Sequence, residues 1–164
     1  MQKGDIVLVR NTGWLSTAIR YLTKGYYNHT GMFISSDEII EATFKKVEIN
    51  ALSILIDMSV TNKCEFSVYR PINLTQEQID IMVDFAEAQV GDKYDFVQLI
   101  CIGLFILFHI GRKHQPLDAR KAWICTELIG EAFLAAGIKL DDKIDPDALS
   151  PAEIANSKHL QRIL

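Results

Sequence analysis

The chain is 164 residues long, 49% hydrophobic and 23% charged, enough to build one core and too apolar for a disordered tail. Seventeen Lys and Arg against 21 Asp and Glu leave a formal charge of -4, without the basic excess that a nucleic-acid partner selects, and none is expected. The three cysteines Cys64, Cys101 and Cys125 include no CxxC pair, so neither a disulfide framework nor a zinc knuckle is indicated, and at least one thiol stays unpaired within the chain.

MQKGDIVLVR enters an apolar run without a charged lead or a cleavage site, which predicts no secretory signal and a reduced, cytoplasmic protein. Residues 4–10 predict a first strand. Over 12–24, Leu15, Ala18, Ile19 and Leu22 recur at helical spacing and Gly25 supplies a stop. HTGMFIS (29–35) and EIIEAT (38–43) predict a hairpin, with short strands following near KVEIN (46–50) and EFSVYR (65–70). Thr75 with Gln78 forms a capping box, and Ile79, Met82, Val83, Ala86 and Val90 make one apolar stripe up to Gly91.

After GDKYD (91–95) comes LICIGLFILF (99–108), ten residues without a polar side chain. A membrane span needs about 20 such residues, so a buried helix is expected, with a greasy substrate channel or contact with a bilayer surface as the functional alternative. Residues 111–121 predict a surface loop. Helical spacing resumes over 123–136, and Ser150-Pro151-Ala152-Glu153 supplies an N-cap, a first-turn proline and the reciprocal glutamate of a last short helix, with a closing strand beyond it. No repeat or linker divides the chain, so one domain spanning 1–164 is expected, of α+β class with strands early and helices late.

Cys125 opens the amphipathic segment WICTELIGEAFLAAG. If the helix starts near Ile124, the thiol lies in its first turn, where unsatisfied N–H groups favour a thiolate. That placement contributes about 0.3–1 kcal/mol, whereas lowering a thiol pKa by two units takes about 2.7 kcal/mol, so a histidine partner is required. The alternative is a small buried hydrophobe on the face of Leu128, Ile129 and Ala132.

Of the four histidines, His109, His114 and His159 have no evident carboxylate companion. His29 has Glu41 on the next predicted strand. With a three-residue loop at Ser35, Ser36 and Asp37, Gly31 faces Glu41, and His29 points to the same side one pair further on; a two-residue loop at Ser36 and Asp37 puts them on opposite faces. Glu41 is otherwise a solvated strand residue. Tyr27, Trp123 and Tyr94 are candidate substrate-binding residues: Tyr27 precedes His29, Trp123 adjoins the thiol, and Tyr94 lies in GDKYD. Each has an ordinary structural alternative in packing, or in stopping one helix and capping the next. No metal or other cofactor is expected, since HExxH, EF-hand and glycine-rich phosphate-loop spacings are absent.

Taken together, GDIVLVR, YYNHTGMFI, EIIEAT, VYRP, GDKYD, AWICTELIGEAFLAAG and LSPAEI resemble the permuted papain-like family of NlpC type, often called YiiX-like, over about residues 4–155. That family runs histidine, acid, cysteine, the reverse of papain's order, and the resemblance maps these roles onto His29, Glu41 and Cys125. Thr126 stands where a serine commonly follows the family cysteine. The resemblance implies an antiparallel sheet or half-barrel with the cysteine helix packed against it, and acyl chemistry on an amide, ester or thioester. The expected function is a cysteine amidase or peptidase acting through an acyl-enzyme on a small peptide or acylated amine. A lipid-directed acyltransferase or lipase with peripheral membrane contact, and an inactive papain-like binding domain, are the alternatives. Oligomeric state is not legible.

Overall fold

The computed structural model describes residues 1–23, 25–94 and 122–164. The apolar run 99–108, the loop 111–121, Asp95, Cys101, His109 and His114 lie outside the described residues.

Six strands form one open antiparallel sheet in the order β4-β3-β2-β1-β5-β8. They are β1 (Ile6–Asn11), β2 (His29–Phe33), β3 (Glu38–Ala42), β4 (Val47–Ala51), β5 (Cys64–Pro71) and β8 (Leu160–Arg162). Lys93–Tyr94 (β6) and Ala122–Trp123 (β7) make a separate two-residue parallel pair. Among the described residues the α-helices are α1 (Trp14–Thr23), α2 (Leu52–Val60), α3 (Gln76–Glu87), α4 (Cys125–Ala135) and α5 (Pro151–Ala155). The expected α+β architecture thus holds as an open sheet with helices, not a half-barrel.

The sheet's alternation separates two apolar clusters. Ile6, Leu8, Met32 and Ile40 point to one face, where Met82, Val83 and Ala86 of α3 and Leu128, Ile129, Ala132 and Phe133 of α4 complete the larger core. Val7, Val9, Phe33, Ile39 and Val68 point to the other, against Leu52, Leu55 and Met58 of α2. A three-layer arrangement follows, α3 and α4 over one face and α2 over the other.

The capping box of α3 forms as expected: Gln78 N–H donates to Thr75 Oγ1 at 3.2 Å, and Thr75 N–H to Gln78 Oε1 at 3.0 Å. The helix stops earlier than the stripe predicts, at Glu87. Val90 lies in the following turn, 47% exposed, and Gly91, at φ +95°, reverses the chain so that its N–H reaches Val47 O at 2.9 Å. Trp123, expected in the first turn of the cysteine helix, belongs to β7.

Helix α2 falls where a meander of strands is expected. Its sequence LSILIDMSV is apolar nearly all round, its N-cap Ala51 offers no side-chain hydrogen bond, and none of its residues is buried. Neither the 3.6-residue period nor a cap marks it.

Candidate active site

The β2–β3 register decides whether His29 and Glu41 meet. Met32 pairs with Ile40 and Phe33 with Ile39, and Ile34 N–H donates to Glu38 O at 3.0 Å, leaving Ser35, Ser36 and Asp37 as a three-residue loop. Gly31 therefore lies opposite Glu41, and His29 shares their face. Val9 opposite His29 and Asn50 opposite Ile39 lie on that face too.

His29 Nε2 and Glu41 Oε2 are 2.5 Å apart, with both side chains about one-fifth exposed. The other carboxylate oxygen, Oε1, accepts from Asn50 Nδ2 at 2.9 Å. Cys125 acts on the same ring through its charge and a hydrogen bond, and with Nε2 facing Glu41 the second ring nitrogen is Nδ1. Burial pulls the His29 pKa down. The charge and hydrogen bond of Cys125, together with those of Glu41, outweigh it and push the pKa up to about 10. For Glu41, burial raises the pKa, but the His29 hydrogen bond and charge and the Asn50 amide hold the carboxyl below its ordinary value.

Cys125 is the first residue of α4, 8% exposed, behind the N-cap Ile124. Its place in the first turn comes from the chain leaving extended geometry at Ile124 (φ -97°, ψ 158°), while Leu128, Ile129 and Ala132 anchor the helix in the core. Isoleucine has no side-chain oxygen, so only the glutamate half of a capping box exists there: Ile124 N–H reaches Glu127 Oε2 at 3.4 Å. Glu127 thus sits over the helix start.

His29, Glu41, Asn50 and Cys125 border a cavity of about 300 Å³, at the lower end of the range for ligand sites. Two expected substrate contacts are not on its wall. Tyr27 is 6% exposed and packs in the core, edge-on to Tyr69 at 6.3 Å between ring centroids; what remains of its surface borders a different cleft with Tyr26, Glu65 and Arg162. Trp123 packs edge-on against Phe85 at 5.8 Å and donates Nε1–H to Asp92 Oδ2 at 3.2 Å. Each stands two residues before its site residue, Tyr27 ahead of the start of β2 and Trp123 in β7 ahead of the cysteine helix, and each ring packs against another aromatic ring instead of bordering the cavity. Tyr94 has its backbone in β6, and its side chain lies outside the described residues. Asn50 is the contact that sequence reasoning missed; its only trace is a polar residue at the end of a short strand.

The sequence profile of a family described as permuted papain-like amidase enzyme, YaeF/YiiX, C92 family, matches residues 1–100. The chain belongs to this family. The match takes in His29, Glu41 and Asn50, while Cys125 lies beyond it. The chain is also similar to the probable lipoprotein peptidase YaeF of Escherichia coli K12, 21% identical over 183 aligned residues that cover 96% of this chain and 64% of that protein; it thus spans under two thirds of that relative's length. Among solved structures, metalloprotein yiiX from Escherichia coli O157:H7 superposes with a TM-score of 0.71 at 19% identity, covering 99% of this chain and 96% of that one. This shared fold extends across the cysteine helix.

The name of that solved relative invites a test of the donor set here. Among the described residues no group of three or more His, Cys, Asp or Glu is arranged to hold a metal ion. Among the described residues, no helix is long and apolar enough to cross a membrane.

Proposed function

We propose that the chain is a cysteine hydrolase of the NlpC-type branch, cleaving an amide bond in a small peptide or acylated amine through Cys125, His29 and Glu41. The observation that carries this reading is the imidazole of His29, held by Glu41 on Nε2 and hydrogen-bonded to the Cys125 thiol.

The Cys125 proton passes to His29, giving a thiolate and an imidazolium whose charge Glu41 balances. The sulfur attacks the scissile carbonyl carbon, forming an S–C bond and a tetrahedral oxyanion. The backbone N–H of Cys125, at a helix start where such groups have no intrahelical acceptor, stabilises that oxyanion; one such donor is worth roughly 3–4 kcal/mol. The C–N bond breaks as the imidazolium proton moves to the departing amine, leaving a thioester. His29, now neutral, takes a proton from water, whose oxygen attacks the thioester; the S–C bond breaks and a carboxylic acid leaves. Glu41 stays ionised and holds the ring so that Nδ1 faces sulfur.

Iodoacetamide labelling at pH 7, read by peptide mass spectrometry at Cys64, Cys101 and Cys125, tests the assignment. Cys125 is expected to react fastest and to lose that advantage in His29→Ala. Faster labelling at either other cysteine, or no dependence on His29, overturns it.

A further inference from the structure

We infer that the cavity beside Cys125 takes an aliphatic group of the substrate, and that α2 is the wall that selects it; this rests on the hydrolase reading for its chemistry. On one side the cavity is bounded by Val7, Val9 and Ile39 of the sheet and on the other by Ile54, Leu55 and Met58 of α2. The polar groups lining it include those of the proposed machinery, His29, Glu41, Asn50 and Cys125, so a substrate entering from the sulfur meets hydrocarbon on both flanks.

α2 supplies the second, independent observation. A surface helix ordinarily buries one stripe and shows a polar face. Here Leu52, Leu55 and Met58 touch the sheet cluster, yet none of the helix is buried, and Ile54 on the cavity wall remains 51% exposed. The two aliphatic surfaces meet at Leu52, Leu55 and Met58 and still leave the cavity open beside Ile54. Closure would hide apolar area and is favourable, and a bound alkyl group achieves the same while leaving the route to Cys125 open. Its size is bounded by the roughly 300 Å³ available.

An unbranched alkyl chain and a leucine-like side chain share this chemistry, and the test separates them. The rates at which iodoacetamide, N-hexyl-iodoacetamide and N-isobutyl-iodoacetamide alkylate Cys125 are measured by peptide mass spectrometry. Each rate is divided by that of the same probe with glutathione, which removes intrinsic reactivity. A buried methylene is worth about a fourfold preference, so at least a tenfold advantage of the better alkyl probe over the parent is expected. Preference for hexyl identifies a chain; preference for isobutyl identifies a side chain.

The advantage is expected to fall below threefold in Met58→Gln, and in Ile54→Asn, whose half-exposed position tolerates a polar group. A normalised ratio near one in wild type overturns the inference, as does a tenfold ratio that survives both substitutions. The hydrolase reading fails separately: in that case alkylation is independent of His29 whatever the ratio. An alkyl preference that persists without His29 dependence supports the aliphatic site and removes the catalysis.

Discussion

Gly31→Ala tests whether strand spacing sets the geometry of the His29–Glu41 pair. Gly31 needs no unusual backbone angle; it needs space. A Cβ built there would lie 2.8 Å from Ile39 Cγ2, 3.0 Å from the Ile40 carbonyl oxygen and 3.2 Å from Glu41 Cβ, against an ordinary contact of about 3.5 Å. The Ile40 oxygen is backbone, so β3 must withdraw by about 0.5 Å, moving Glu41 with it. Overpacking of this kind costs about 1–3 kcal/mol, and for a chain of this size each kcal/mol lowers Tm by about 2–4 °C. Since a displacement of 1 Å costs about a hundredfold in rate, half of it predicts about a tenfold loss in Cys125 alkylation at neutral pH. Thermal melting and timed iodoacetamide labelling measure the two effects. A lowered Tm with alkylation within twofold of wild type would show that Gly31 spaces the strands without positioning Glu41. Wild-type values of both would refute the spacing argument itself.

Glu41→Gln removes one of the groups that raise the His29 pKa, so the pH at which the imidazole loses its proton, read by NMR titration, is expected to fall; an unmoved titration contradicts the role of Glu41. Because the folded-state pKa of Glu41 is lowered, its contribution to stability is present above the ordinary carboxylate range and lost as pH falls through the depressed value. Acid melting of wild type against Glu41→Gln reads that contribution. Asn50→Ala removes the hydrogen bond to Glu41 Oε1, worth about 1.5–3 kcal/mol to a charged acceptor; slower alkylation of Cys125 at pH 7 is expected, whereas a structural role alone lowers Tm and leaves the alkylation rate in place. Asp5→Asn breaks the paired hydrogen bonds from Arg70 at 2.8 and 2.9 Å to a carboxylate only 1% exposed. Arg70 is itself partly exposed, so the loss is about 1–3 kcal/mol, read by urea unfolding, with Cys125 labelling below the transition unchanged.

The parts of the fold legible in the sequence are those that local chemistry specifies. Thr75 and Gln78 mark a helix start because both partners of the box lie within one turn, and HTGMFIS with EIIEAT marks a hairpin because alternation survives on both strands. The juxtaposition of His29 with Glu41 reduces to one integer, the loop length, and Ile34 pairing with Glu38 makes it three. What stays illegible needs a third element. Asn50 reaches Glu41 because β4 pairs with β3 in one register, Ile39 opposite Asn50, and short strands carry little information about register. α2 is hidden for a different reason: a helix apolar on nearly every side has no period to detect, and its surroundings, not its propensity, make it helical. Tyr27 and Trp123 stand near site residues in the chain, but the core claims the ring of one while Phe85 packs against the other.

The start of α4 bears on how the sulfur is activated. A helix N-terminus favours a thiolate by about 0.3–1 kcal/mol, and here Glu127, two residues beyond Cys125, brings a carboxylate onto the Ile124 N–H. The Ile124 N–H is thereby occupied by a side chain, and the Cys125 N–H is the next at the helix start. A helix terminus alone contributes little, and the group beside the sulfur whose pKa is raised, with the Cys125 charge as its largest favourable cause, is His29. In the proposed mechanism the helix aims the sulfur and offers its first N–H, while proton transfer falls to His29. On that reading the sheet carrying His29, Glu41 and Asn50 is the layer where small displacements cost most, and a change that moves β3 relative to β2 is expected to lower the reactivity of Cys125.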